Sequence, residues 1–369
     1  MKNAVVICEF NPLHIGHARL LGLARSAGAR NVICVMSGSA VQRGELACLD
    51  KYARARHAVL AGADAVIELP AQYTLSAARQ FALGGVKTAC TVKDAMLVFG
   101  SECGDLDRLV AAAEALEDDN VRAKIKTALS EGSGYPAALA KALGDELFLS
   151  PNNTLGIEYL RAINDTGRKI SAFTVKRDNS PCEQAPHGYP TSSAIRENAK
   201  NGVAPDPSLL PGYVADDLSS HPVDDSALYA VLRYILTSQR SENVYDDTEG
   251  LSNRLASCAA KSQTYEEFCS LAASRRYTRA RVKRLALNTA LGNTFTHADL
   301  TDMPVRFVNL LAVAKGNEDV LSQIDVPIAV SERTRAPFAD DFSLTSKADA
   351  LFDAARYPFS RATLFVQRS

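Results

Sequence analysis

Ile7-Cys8-Glu9-Phe10-Asn11-Pro12-Leu13-His14-Ile15-Gly16-His17-Ala18-Arg19-Leu20 is the stretch on which the reading of this chain turns. It leaves a β-branched apolar run, Ala4–Cys8, and passes through a polar, proline-containing turn into an amphipathic segment, His17–Ala27. A strand that turns directly into a helix opens a βαβ unit. Two histidines three positions apart then fall in one turn, and Gly16 allows a phosphate to approach the backbone. The helix that follows offers free N–H groups and the positive end of its dipole. In open α/β sheets this carboxyl edge is where ligands bind. The stretch from Ile7 to Leu20 is therefore a candidate nucleotide-binding turn, with His14 and His17 as its candidate catalytic pair.

The pattern repeats outward. Candidate strands fall at Asn31–Met36, Ala65–Leu69, Ala95–Phe99 and Ile170–Val175. Candidate helices fall at Leu49–Ala61, Leu75–Thr91, Leu106–Leu116, Val121–Leu129 and Pro136–Leu143. Crossovers of this length predict right-handed βαβ units, hence an α/β fold with a Rossmann-like parallel sheet. Pro181–Pro190 and Gly202–Pro211 interrupt the pattern, and beyond them Ala227–Leu236, Gly250–Ala259, Tyr265–Ala273 and Arg279–Leu291 read at helical period with few strand signals. The expected division is a nucleotide-binding, parallel-sheet part over residues 1–200 and a mainly helical part over 201–369. Asp325–Ser369 gives no clear pattern.

Composition limits the function classes. The 369 residues are 47% hydrophobic and 22% charged, which excludes a disordered chain. No apolar run approaches the ~20 residues that span a bilayer. Glu9 ends the first apolar run too early for a signal-peptide core, so secretion is not expected. Eight cysteines stand without a Cys-x-x-Cys pair or zinc-like spacing, which predicts reduced thiols in a cytoplasmic protein and no protein-built metal site. The net charge of -1 argues against wholesale coating by nucleic acid but conceals one local exception. Arg275-Arg276-Tyr277-Thr278-Arg279-Ala280-Arg281-Val282-Lys283-Arg284 carries six basic residues in ten and no acid. On a helix these charges wrap a wide face, with Tyr277 available to stack on a base, so the run is a candidate RNA-binding surface.

The element His14-Ile15-Gly16-His17 after a strand resembles the His-x-Gly-His signature of the nucleotidyltransferase superfamily, whose histidines stabilise the α-phosphate of ATP while pyrophosphate leaves. Met36-Ser37-Gly38-Ser39-Ala40-Val41-Gln42-Arg43-Gly44-Glu45, Gly62 to Pro70 with Asp64 and Glu68, Phe99-Gly100-Ser101-Glu102 and Ser150 to Gly156 follow in turn. Together they resemble the tRNA(Met) cytidine acetate ligase family from residue 1 to roughly 315. Gly100, just after the Ala95–Phe99 strand, is a natural place for backbone approach to ribose or adenine, and the resemblance implies ATP contacts from the Asn152–Asn153 pair and from Arg177. It also implies phosphate contacts from Ser192, Ser193 and Arg196, within Thr191-Ser192-Ser193-Ala194-Ile195-Arg196, which is similar to a Ser-Ser-Thr-x-x-Arg element of the superfamily. Read from residues alone, one of Asn152 and Asn153 is expected to cap a helix and the other to face a ligand.

The function implied is formation of acetyl-adenylate from acetate and ATP, accompanied by Mg²⁺. The acetyl group then passes to the wobble cytidine of elongator tRNA(Met), giving N4-acetylcytidine. No obligate protein partner is implied. The competing reading is a small-molecule adenylyltransferase of cofactor synthesis, which would share the histidines but not need the basic run.

Overall fold

The computed structural model describes residues 2–177, 191–204, 206–221, 224–238, 242–248, 250–356 and 364–368. Pro181–Pro190 and Cys182 lie outside the described residues. The remaining seven cysteines are free thiols.

Ten strands are described: β1 (Asn3–Cys8), β2 (Asn31–Ser37), β3 (Ala40–Val41), β4 (Glu45–Leu46), β5 (Ala65–Leu69), β6 (Ala95–Ser101), β7 (Ser171–Lys176), β8 (Val308–Ala314), β9 (Ile328–Ala329) and β10 (Leu364–Val366). Eight form one sheet in the order β10-β8-β5-β2-β1-β6-β7, with β9 paired to β8 off this path, while β3 and β4 form a small antiparallel ribbon. The five strands expected from the sequence pair in parallel with one another. β1 and β2 are buried at every position, as strands covered on both faces must be, which is why they read as unbroken apolar runs. Two apolar layers cover the sheet. One is built around Val5, Ile33 and Phe81, the other around Val6, Cys34 and Tyr52.

The expected boundary near residue 200 does not separate the sheet from the helices. β8 returns from the second half of the chain and pairs antiparallel with β5, and β10 adds beside it. β8 reads Val-Asn-Leu-Leu-Ala-Val-Ala and is wholly buried; an unbroken apolar run of that length fits a strand or a buried helix equally well. The helical core of Leu228, Leu232, Phe268, Val282 and Phe352 also takes in Ala40, Val41 and Leu75 of the first half.

The two halves are further joined by charge. The ammonium of Lys51, in the helix Lys51–Leu60, is 1% exposed and donates to both oxygens of Glu68, at 2.8 and 3.0 Å, and to Asp349 at 2.7 Å. Asn309 of β8 donates to the second Glu68 oxygen at 2.5 Å. The two acids push the Lys51 pKa up despite its burial. Removing one partner of a buried pair strands the other charge, typically at about 3–5 kcal/mol. Lys51→Met is accordingly expected to lower the unfolding free energy by about that amount at neutral pH, with an unchanged denaturant slope; a loss below about 1 kcal/mol in urea unfolding would show that the cluster does not hold the halves together.

Candidate nucleotide-binding active site

The sheet order reverses at β1, with β2 on one side and β6 on the other. Registered pairs between β1 and β6 end at Val5 with Leu97, whereas β1 continues to Cys8 and β6 to Ser101. A crevice therefore opens at the carboxyl edge of the switch point, where nucleotides bind in open α/β folds. The turn after β1 is shaped by its apolar members, since Phe10 and Leu13 are buried, at 1% and 0% exposure. Phe10 takes a positive φ of 45°, uncommon for a side chain of that size.

His14 is the N-cap of the helix Ile15–Ser26, and its Nδ1 accepts from the Gly16 N–H at 3.1 Å. The Nδ1 of His17 accepts from the His14 N–H at 3.3 Å. The rings stack with centroids 3.7 Å apart, and Phe10 lies 5.1 Å from His17. Burial, then the charge of Arg177, holds the His14 pKa down at about 3; burial, then His14 and Arg177, pushes His17 well below the usual imidazole range. Both rings are neutral at physiological pH. With each Nδ1 accepting, the hydrogen-bond network assigns the ring proton to Nε2. The motif thus presents two fixed N–H donors beside a helix N-terminus. Ala18, Arg19 and Leu20 continue the same helix, with Arg19 exposed.

Across the crevice, neither Asn152 nor Asn153 caps the helix Pro151–Thr166. Ser150 occupies the N-cap position without a side-chain bond, because Pro151 takes the first helical position and moves both asparagines inside the first turn. The cap comes from Glu102 at the end of β6, which accepts from the Asn152 and Asn153 N–H groups at 3.3 and 2.8 Å and from Asn152 Nδ2 at 2.7 Å. Asn153 is buried, accepting from the Cys103 N–H at 3.1 Å and donating to Leu147 O at 3.0 Å. The stem of Arg177 lies over Gly100, where an added Cβ would meet its Cγ at 3.0 Å. Burial lowers the Arg177 pKa and the nearby Glu102 raises it.

On the other flank Thr191 is the N-cap of the helix Ser192–Lys200. Ser192 donates to Pro12 O at 3.1 Å, and Arg196 donates to Asn11 O at 2.7 Å, to Glu45 at 3.1 Å and to Ser193 Oγ at 3.5 Å. The expected phosphate-binding element is thus brought onto the histidine turn. Arg54, which belongs to none of the sequence motifs, is wholly buried. It donates to Glu9 O at 2.7 Å, Ser37 O at 3.0 Å and Leu49 O at 3.0 Å, and also to Gly38 O. Its only sequence signal is its place on the buried face of the helix Lys51–Leu60, with Tyr52, Ala55 and Val59. Asp64 is structural, held by Arg25 at 2.5 Å, by Arg368 at 2.9 Å and by the Val32 N–H.

The basic run forms the turn before, and the first half of, the helix Arg279–Leu291. Acids absent from the run itself are supplied from elsewhere: Glu266 to Arg279 at 2.6 Å, Asp246 to Arg281 at 3.4 Å and Glu45 to Lys283 at 2.6 Å. Arg284 donates to Gln42 O at 3.3 Å, and burial lowers its pKa. Tyr277 is 8% exposed and packed in the helical core, which corrects the expectation that its ring stacks on a base. Arg275 and Arg276 remain exposed.

This geometry has a counterpart among known proteins. The family described as HIGH Nucleotidyl Transferase matches residues 1–362, beyond the roughly 315 covered by the sequence motifs. The tRNA(Met) cytidine acetate ligase of Acetivibrio thermocellus is 33% identical over 356 residues, spanning 88% of this chain and 86% of that protein. The one of Caldicellulosiruptor bescii is 31% identical over 341 residues, spanning 88% and 85%. The chain belongs to the tRNA(Met) cytidine acetate ligase family. The crystal structure of Thermotoga maritima TmcAL bound with alpha-thio ATP superposes on it with a TM-score of 0.87 and 25% identity, over the whole of both chains. In this cytidine acetate ligase family member, then, the histidine crevice lies in the fold of a structure solved with an ATP analogue.

The low histidine pKa values carry a stability consequence. An unfolded chain protonates these rings below the ordinary value of 6.5, whereas the native chain holds His14 neutral down to about 3. Stability present above pH 6.5 is therefore lost as pH falls from 6.5 toward 3. His14→Gln is expected to show a shallower decline of urea-unfolding free energy than the wild type between pH 6.5 and 4.5; parallel declines would place a charged His14 in the native state.

Proposed function

We propose that the protein is an ATP-dependent tRNA(Met) cytidine acetate ligase. The observation that carries the reading is the stacked pair of Nε2–H imidazoles at a helix N-terminus, in a chain 33% identical to such a ligase over 88% of its length. The acetate carboxylate attacks the α-phosphate of ATP, and negative charge grows on the non-bridging oxygens as pyrophosphate departs. His14 and His17, fixed and uncharged, donate to those oxygens without rearranging, and the free N–H groups of Ile15–Ser26 add to them. Arg177 and Arg196 balance the charge of the phosphates, and Ser192 and Ser193 contribute hydroxyls on the leaving side. Gly100, on which the Arg177 stem rests, offers backbone to the nucleoside at the edge of β6.

Magnesium enters as part of the MgATP substrate. No group of three or more His, Cys, Asp or Glu side chains is placed to hold a metal among the described residues. Glu102 and Glu45, two of the carboxylates flanking the crevice, are already occupied by their donors.

In the second step the exocyclic amine of the wobble cytidine of elongator tRNA(Met) attacks the acetyl carbon, and AMP leaves. Exposed Arg275 and Arg276 supply phosphate contacts, aided by the partly exposed Arg279 and Arg281; Lys283 and Arg284 face inward and hold the helix against the site. A small-molecule adenylyltransferase would leave this basic surface without a use. The tRNA substrate and free thiols fit a cytoplasmic location, and no described helix is long and apolar enough to cross a membrane.

The direct test supplies ATP, labelled acetate and tRNA. Labelled N4-acetylcytidine is expected in tRNA(Met), and acetate-dependent pyrophosphate release is expected to fall by about 10²-fold or more in His14→Ala and His17→Ala, the scale for one missing transition-state donor. Near wild-type release from both variants would remove the histidines from the chemistry. Deleting one cation that neutralises a phosphate should flatten the slope of log affinity against log salt by about 0.7–0.9. Arg275→Ala/Arg276→Ala is expected to flatten it by nearly two such increments in a filter-binding salt series while pyrophosphate release persists. A wild-type slope would show that these arginines touch no phosphate.

A further inference from the structure

The two steps of the proposed reaction differ in their protons. Acetate is an anion at neutral pH, so adenylation releases none, whereas the attacking cytidine amine must shed one as its C–N bond forms. The histidines cannot receive it. Each already carries its ring proton on Nε2 and accepts through Nδ1 from the backbone, and burial holds both pKa values low.

The carboxylates around the crevice separate on the same test. Glu102 accepts three hydrogen bonds at the start of Pro151–Thr166. Glu45 is shared by Arg196 and Lys283. Glu9 differs from both. Its Oε1 accepts from the Gln42 N–H at 2.6 Å and lies 3.5 Å from the Ser37 hydroxyl. Its Oε2 makes no hydrogen bond among the described residues and is not sealed from solvent, and no cation there lies within ion-pair distance of the carboxylate. Glu9 also stands on the correct side. It follows β1 directly and is held by the Gln42–Glu45 loop, which packs on the basic helix so closely that a Cβ at Gly44 would meet the Arg284 N at 2.3 Å. Its backbone is tied through Arg54 to the carboxyl edge of β1 and β2, and its carboxylate to the loop that packs on the basic helix.

We propose that Glu9 is the proton acceptor of acetyl transfer, a role that rests on the ligase reading above. The N4 nitrogen bonds to the acetyl carbon, the bond from that carbon to the adenylate oxygen breaks, and AMP leaves with the electron pair. The proton of the attacking amine passes to Glu9 Oε2 and from there to solvent. The groups facing Glu9 are the Gln42 N–H and Ser37 hydroxyl, with Arg196, Arg54 and Arg43 further out, Cys8 behind it and the buried Tyr159 of the helix Pro151–Thr166 also within its field. Burial raises its pKa more than these donors and cations lower it, which suits a base.

The test begins from synthetic acetyl-adenylate and tRNA, without ATP, so that only transfer is read. Glu9→Gln is expected to slow single-turnover transfer by about 10²-fold, with tRNA affinity and the urea-unfolding midpoint measured alongside. The wild-type rate is expected to rise with pH through one carboxyl ionisation that the variant lacks. Added formate is expected to accelerate Glu9→Ala in proportion to its concentration and to leave the wild type unchanged. Transfer by Glu9→Gln within threefold of wild type, a retained pH limb, or a rate loss matched by weakened tRNA affinity would each overturn the proposal. A wild-type protein that transfers no acetyl group from acetyl-adenylate would overturn the ligase reading and the Glu9 role with it, an outcome distinct from failure of the variant alone.

Discussion

One buried guanidinium holds together the edge on which the site is built. Parallel strands end with carbonyls that have no ladder partners, and at the carboxyl end of β2 both Ser37 and the Arg54 that reaches it are fully buried. Arg54 supplies donors there, with its planar fork reaching Glu9 O, Ser37 O, Gly38 O and Leu49 O. Burial lowers its pKa, yet a guanidinium stays charged, so the positive charge is spread over carbonyl dipoles instead of being cancelled by one acid. The position of the Glu9 backbone follows from this, and so does the start of the turn that carries both histidines. A lysine could not reproduce it, having a single point of donation where at least three divergent ones are used.

The proposed chemistry depends on keeping the histidines neutral. A charged imidazole would attract ATP more strongly in the ground state, but it would also repel its stacked neighbour at 3.7 Å and the guanidinium of Arg177. Burial settles the question in favour of the uncharged form. What remains is a pair of oriented dipoles whose donors are set by backbone N–H groups before any substrate arrives. Such donors gain strength as negative charge develops on the phosphate, which is the differential stabilisation that accelerates a reaction.

The sequence makes this much of the molecule legible because its signals are local. The five parallel strands are short apolar runs bounded by polar turns, and they appear where the periodicity places them, within a residue or two at most ends. The histidine turn is legible for the same reason, since strand, turn and helix are contiguous. Contributions from distant segments are not. β8 carries the same unbroken apolar signal as β1, but nothing near residue 308 says that it will pair antiparallel with β5. The asparagine cap expected from the sequence fails because the capping carboxylate, Glu102, lies 50 residues away. The basic run looks free of acids only because Glu45, Asp246 and Glu266 come from other elements, the first of them 238 residues distant.

Those distant acids decide how the two halves of the molecule relate. Glu45 stands between Arg196, which reaches back to the histidine turn, and Lys283, on the basic helix; with two cations at 3.1 and 2.6 Å its pKa is drawn down in spite of burial. One carboxylate is therefore shared between Arg196 and Lys283, and the trio keeps a net positive charge. Because Gly44 brings the loop backbone against that helix with no room for a side chain, neither partner can shift without moving the other. The same loop donates the Gln42 N–H that fixes Glu9 Oε1. The residues that sequence analysis assigns to two separate modules are thus tied to a single four-residue loop, and the spacing between the histidine turn and the basic helix is set by its backbone.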